Sequence, residues 1–251
     1  MPAQVSVIGI GGVPEVQPGN DLAALVTEAA TRQRTPLASG DVLVVSQKVV
    51  SKAEGRVVDL KSVTPSPFAL EVARTWQKDP RHVEVVLREA RRIVRMDQGI
   101  IITETHHGFR CANSGVDASN VPGEETVTLL PVHPDASAEA IRRGVRQLAA
   151  VDVAVIVSDT FGRPWREGAV NVAIGVAGLE PLVDYRGRLD TCGKRLQTTV
   201  IAVADELAAA AELVTGKLEK VPAALVRGYT FRPSPGGVGP LLREPSRDLF
   251  R

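Results

Sequence analysis

A mixed α+β fold is the expectation for this chain, and three observations carry it. Short runs rich in β-branched residues recur at residues 5–10, 41–50, 99–104 and 151–157, and apolar residues at helical spacing recur at 21–34, 136–150 and 205–215. The two kinds of segment do not alternate strictly, which argues against a simple parallel winding. The chain has 251 residues, 44% hydrophobic and 24% charged, enough to build one large core or two small ones. A single domain over residues 1–251, with room for two subdomains, is expected.

Residues 5–10 alternate and read as a strand, followed by a turn at Gly11, Gly12, Val13, Pro14 and Glu15. Residues 21–34 form a helix with Asn20 or Asp21 as N-cap. Residues 41–50 (DVLVVSQKVV) read as a second strand, with Lys52 near a turn and extended structure resuming at Val57 and Val58. Helical patterns cover 68–78 and 80–95, interrupted at Pro80, and the basic cluster from Arg88 to Arg95 reads as a solvated helix face. A strand at 99–104 leads into a polar loop at 105–123. A helix at 136–150, a buried strand at 151–157, a strand at 197–202, a helix at 205–215 and a strand at 221–227 follow. The tail from Pro233 is rich in proline and glycine and reads as irregular.

Composition excludes several classes. The net charge of +1 provides no basic excess for nucleic acid or an anionic membrane. The apolar runs are interrupted by Asp152, Glu180 or Glu206, so no membrane span is expected. The first residues, MPAQVSVIG, lack a basic region followed by an apolar block, so no signal peptide is expected. Cys111 and Cys192 are too far apart for a metal spacing or disulfide framework, which suits a reduced, cytoplasmic setting.

Two segments carry chemistry. In residues 153–178 an apolar run ends in Ser158-Asp159-Thr160, then come Arg163, Arg166, Glu167 and Asn171. An acid and hydroxyl at a strand end suit a divalent metal or a phosphate, and the arginines suit an anionic substrate. Residues 110–122 (RCANSGVDASNVP) gather Asn113, Ser114, Asp117, Ser119 and Asn120, either as ligands or as an Asx-rich turn bonding its own backbone. Two hard carboxylates from separate loops suit magnesium or manganese. Adjacent His106 and His107 point to opposite faces of a strand, and a Cys111 nucleophile would need one of them as base. Lys48 and Lys52 near the second strand meet either phosphate or solvent. Gly9, Gly11 and Gly12 make only part of a dinucleotide fingerprint, with Pro14 at the third glycine's place, and Thr215-Gly216-Lys217 lacks the spacing of a P-loop.

The ordered motifs DVLVVSQKVVSKAEGR, RCANSGVDASNVPG, SDTFGRPWREGAVNVAIGVAG and LVTGK…VPAALVRG resemble the coenzyme F420-0:γ-glutamyl ligase family, from Val13 to the terminal DLFR. The resemblance implies a GTP-dependent ligase that adds L-glutamate to the lactyl carboxylate of coenzyme F420-0 through an acyl phosphate, then further γ-linked glutamates. It implies a family-specific, non-Rossmann fold in an intertwined homodimer, and magnesium or manganese as metal, with potassium as a further candidate. Position by position it implies metal contacts at Asp117, Asp159 and Thr160, and nucleotide contacts at Val13, Pro14, Glu15, Val16, Ser46, Gln47, Lys52, Asn120, Thr215, Gly216 and Lys217. Archaeal relatives carry an acid or glutamine where this chain has Lys217, so a second metal would be held differently here, or Lys217 contacts phosphate. Arg163 and Arg166 either bind the acceptor's phosphodiester or glutamate carboxylates or form a structural ion pair, as with Glu167. The competing readings are a metal-dependent hydrolase of a phosphate ester or peptide and a non-catalytic GTP-binding regulatory module.

Overall fold

The computed structural model describes residues 4–121 and 123–248. Pro122 at the end of the polar loop, the first three residues, and Leu249, Phe250 and Arg251 of the terminal motif lie outside the described residues. In chain order the elements are β1 (Ser6–Ile10), α1 (Leu22–Arg32), β2 (Val42–Ser46), α2 (Gln47–Ala53), β3 (Val57–Asp59), α3 (Pro67–Trp76), α4 (Pro80–Glu89), β4 (Ala90–Asp97), β5 (Ile100–Thr105), β6 (Arg110–Ala112), β7 (Thr126–Thr128), α5 (Pro134–Ala149), β8 (Ala154–Arg163), β9 (Arg166–Ala177), β10 (Val183–Asp184), β11 (Val200–Ile201), α6 (Val203–Thr215) and β12 (Ala223–Arg227). The mixed α/β expectation holds.

The largest sheet has the order β1-β12-β2-β8-β9, and only β2 and β8 run parallel. Its central strands read VLVVS, AVIV and AALV because both of their faces are covered. Val153, Val155 and Val157 face one core with Val26 of α1 and Ile141 and Val145 of α5, whereas Ala154 and Ile156 face another with Leu207 and Ala211 of α6. A third core, built from Val72, Val83, Val86, Ile101 and Val127, binds α3 and α4 to the smaller sheets β3-β7 and β4-β5-β6.

Several boundaries differ from the sequence expectation. The strand expected over 41–50 stops at Ser46, and Gln47 opens a helix that ends before Gly55, which takes φ 68°. Lys52 therefore sits in a helix and is buried, rather than near a turn. The helix expected through Arg95 stops at Glu89, and residues 90–97 pair with β5 across a Gln98-Gly99 turn in which both residues have positive φ. The basic cluster is thus mainly a strand: Arg92 and Arg91 pair with Glu104 across the sheet and Arg95 with Asp97. The buried strand at 151–157 runs on through Asp159 and Thr160 to Arg163 and turns back at Pro164-Trp165 into β9. Residues 126–128 add a short strand, and the strand expected over 197–202 shrinks to two residues.

β9 is a sheet edge, and carboxylates from two helices close it. Asp205 and Glu212 of α6 accept from the amides of Ala173 and Asn171, and Asp135 of α5 accepts from Val176 at 2.8 Å. Asp135 also accepts from Val238 at 3.1 Å, which ties the tail to the same place. A β-bulge at Ile174 sets Ile174 and Gly175 on the α5 side. There α5 comes so close that a Cβ at Gly175 would lie 2.3 Å from the Pro134 carbonyl oxygen.

Gly175→Ala is therefore expected to destabilise the fold by about 1–3 kcal/mol, lowering Tm by roughly 2–12 °C for a chain of this size. Thermal unfolding checks it, and an unchanged Tm would mean that α5 can retreat.

Candidate functional site

The parallel pair β2 and β8 stays in register from Val42 and Ala154 to Ser46 and Ser158. There β2 gives way to α2 while β8 continues, so β8 loses its neighbour where Asp159 begins. The space opened is a cavity of about 830 Å³. Strand alternation puts Asp159 on the face of Val157 and Phe161, toward Asp117 and Cys111, and Thr160 on the opposite face, toward α6.

Four further segments meet at this cavity. The loop after β1 brings Val13, Pro14, Glu15 and Val16, and Glu15 receives the Lys52 ammonium at 2.5 Å. The start of α2 brings Ser46, Gln47 and Lys48. The Gln47 amide is committed inward, donating to Ser51 Oγ at 2.6 Å and to the Leu129 carbonyl at 3.0 Å, so it fixes the wall. The loop after β6 brings Asp117, Ser119 and Asn120. The segment after α6 brings Thr215, Gly216 and Lys217, together with Lys220. Asn120 Nδ2 donates to the Lys217 carbonyl at 3.4 Å and links the last two segments. All the nucleotide and metal positions expected from the sequence line this one cavity.

Asp117 is set by its backbone bridge to Thr128. Its carboxylate accepts from Lys48 Nζ at 2.7 Å, the Ser119 amide at 2.7 Å and Ser119 Oγ at 2.9 Å. Burial pushes its pKa up, but the Lys48 ammonium and the Ser119 amide together hold it below the usual carboxylate value. All three protons of Lys48 are used, since it also donates to the Ser119 carbonyl at 2.6 Å and Oγ at 2.8 Å. Lys48, expected to meet either phosphate or solvent, has a side chain only 17% exposed that anchors the Asp117 loop.

Asp159 is the opposite case. Burial pushes its carboxyl up to about 6, the Thr160 amide opposes, and Asp117 adds to the rise while Lys217 and Lys48 counter it. No ion pair forms on it among the described residues. Thr160 Oγ1 donates to Asn171 Oδ1, its direct cross-strand partner, at 2.6 Å. Among the described residues no group of three or more His, Cys, Asp or Glu forms a metal cage. Two carboxylates with water and phosphate oxygens nevertheless suit magnesium, and the Asp159 carboxylate, close enough to Asp117 to be raised by it and without an ion pair among the described residues, fits such a cation.

Arg163 and Arg166 stand apart, at the tip of the β8–β9 hairpin and outside the cavity lining. Arg163 donates to the carbonyls of Gly168 at 3.1 Å and Glu167 at 2.5 Å, which stiffens the turn. The Cys111 thiol is buried and, chiefly by that burial, pushed up to about 12, which removes it as a nucleophile. His107 is half-buried, its Nδ1 3.3 Å from Thr105 Oγ1 and its Nε2 2.9 Å from the Pro131 carbonyl. Asn171, Glu212 and Lys220 join the site without having been singled out as ligands; the hint in the sequence was the position of Asn171 opposite the Ser-Asp-Thr run. No helix among the described residues is long and apolar enough to cross a membrane.

The profile of the F420-0:Gamma-glutamyl ligase family matches residues 11–228. The coenzyme F420:L-glutamate ligase of Methanothermobacter thermautotrophicus is 48% identical over 250 residues, 98% of this chain and 99% of that protein. That of Methanopyrus kandleri is 48% identical over 244 residues, 94% of each chain. That of Haloarcula marismortui is 43% identical over 254 residues, covering 98% and 96%.

The raised Asp159 carboxyl has a stability signature. An unfolded aspartate titrates near ~3.9, so between about 4 and 6 the folded chain holds a proton that the unfolded chain has lost. Stability without metal therefore falls as pH rises through that window. Asp159→Asn should flatten this fall and raise Tm at pH 8 relative to pH 5, measured by thermal unfolding in chelator. Parallel pH profiles for the two proteins would remove the assignment.

Proposed function

The chain belongs to the F420-0:gamma-glutamyl ligase family, and from that premise we propose that it joins L-glutamate to the lactyl carboxylate of coenzyme F420-0 with GTP as co-substrate, then adds further γ-linked glutamates. The observation that carries the reading is the convergence of Asp117, Asp159 and the lysines 48, 52, 217 and 220 on one cavity without a P-loop. A pocket holding both signs of charge suits a triphosphate with its cation.

A carboxylate does not react with an amine at neutral pH, so activation is the central requirement. An oxygen of the acceptor carboxylate attacks the γ-phosphorus, the bond to the β-γ bridging oxygen breaks, and GDP leaves. The neutral amine of glutamate then attacks the acyl carbon; the C–N bond forms, the C–O bond to phosphate breaks, and phosphate leaves as the amine's proton passes to solvent. No enzyme nucleophile is consumed, in keeping with the buried Cys111 thiol.

The Val13–Val16 segment, Ser46, Gln47 and Lys52 form the nucleotide wall on the α2 side, and Asn120 with residues 215–217 forms the facing wall. Asp117 and Asp159 would hold magnesium or manganese, whose charge offsets that of the phosphates when bound. Lys48 keeps the Asp117 loop in place through its three donors. Arg163 and Arg166 lie at the hairpin tip outside the cavity lining, so their contact with the anionic acceptor or the incoming glutamate falls beyond the nucleotide walls, with Arg163 also holding the turn. The assembly is a homodimer, and exposed apolar side chains such as Leu189 and Leu213 offer surface for it.

Incubation with GTP, L-glutamate, manganese and coenzyme F420-0, read by mass spectrometry, should show the acceptor gaining glutamyl units and GDP appearing in step. Asp159→Asn should lose at least a hundredfold of that turnover, the scale of removing a preorganised electrostatic contact. GTP hydrolysis without glutamyl transfer would favour the hydrolase, and tight GTP binding without turnover a regulatory module.

A further inference from the structure

A closed ring of contacts surrounds the Lys217 side chain. Gly216 ends α6 at φ 58° and ψ −163°, its amide still bonded to the Glu212 carbonyl at 3.0 Å. That turn aims Lys217 back across the cavity mouth. Its ammonium donates to Thr160 Oγ1 and lies 3.4 Å from Glu212 Oε1. Thr160 in turn donates to Asn171 Oδ1 at 2.6 Å, and the Asn171 amide donates to Glu212 Oε2 at 3.1 Å. The ring thus runs through Lys217, Thr160, Asn171 and Glu212 and is closed on both sides by the same carboxylate.

An ammonium has three donors and no lone pair, so it cannot ligate a metal. It does carry one positive charge in a compact head. In this ring it sits on the hydroxyl adjacent to Asp159, and a second metal at Thr160 would have to displace it against charge repulsion. Asp159, on the other face of β8, has no ion pair among the described residues and faces Asp117. One wall of the cavity therefore has a cation supplied covalently, while the other presents the Asp159 carboxylate beside Asp117, whose own carboxylate is shared with Lys48 and Ser119.

We propose that the Lys217 ammonium is the built-in second cation of this site, so that the cavity takes a single divalent ion, held by Asp117 and Asp159, while the Thr160 hydroxyl serves the ammonium. The proposal rests on the reading of the cavity as a metal-nucleotide site. The ammonium then stands beside the phosphates as a fixed charge, as a bound monovalent ion would.

The test counts ions directly. Manganese is titrated into the full chain with saturating GDP, and bound ion is read from the loss of the free-ion resonance in electron paramagnetic resonance. The expected result is one manganese per chain for the wild type and for Lys217→Arg, and two for Lys217→Gln and Lys217→Glu, which restore an oxygen donor beside Thr160. Two ions in the wild type, or one in all four proteins, would overturn the proposal. The same samples report GDP affinity by equilibrium dialysis. Nucleotide binding with no manganese in any protein removes the metal reading itself, and with it the proposal, whereas one ion throughout removes the role of Lys217 alone.

Discussion

A carboxylate placed beside the core with no ion pair among the described residues is the constraint on which the site depends. Asp159 lies on β8 one residue past the last pairing with β2, on the face shared with Val157 and Phe161. Burial of an ionised acid is unfavourable unless a partner is supplied. Its neighbours are arranged so that none of them supplies it fully. Lys48 is held by Asp117 and Ser119, and Lys217 by Thr160 and Glu212. Both ammoniums moderate Asp159 from a distance, and its carboxyl remains raised to about 6. The free energy withheld there is available to a cation that arrives with a ligand.

The two carboxylates come from different parts of the fold. Asp159 belongs to the five-stranded sheet, and Asp117 is bridged to Thr128 beside the third core of α3, α4 and β7. Lys48 on α2 spans the gap by bonding the Asp117 loop. The cavity is thus a seam between two packed units, and its shape depends on the inward bonds of Gln47 and Ser51 to the Leu129 carbonyl. Ligand sites favour such seams, where backbone ends are plentiful and rigid elements flank them.

Much of the fold was legible because burial leaves a pattern. The central strands β2, β8 and β12 read as unbroken apolar runs, and α1, α5 and α6 keep helical spacing. The errors fell where tertiary pairing overrode local spacing. Residues 80–95 keep a helix-like spacing of Val83, Val86, Ala90 and Ile93, yet the last third is drawn into a hairpin by the Gln98-Gly99 turn. Val49 and Val50 extend a strand-like run into α2, and only Ser46 and Gly55 mark the helix ends. The site was legible in part: separate acid-bearing loops announced a cation, but that residues 13–16, 46–52, 117–120 and 215–217 line the same space follows only from topology. Nothing in the local sequence said that Lys48 would be spent on a loop 69 residues away.

The bulge at Ile174 gives the site a frame of reference. On β9 the extra residue reverses which side chains face α5, while β8 keeps strict alternation from Val153 through Asp159. Between Val157 and Thr160 each position therefore has one face only. A single-residue insertion or deletion there would exchange the surroundings of the acid and the hydroxyl, delivering Asp159 to α6 and Thr160 to Asp117, with the sheet still able to form. Within this segment the site is therefore as sensitive to chain length as to the identity of the acid and the hydroxyl.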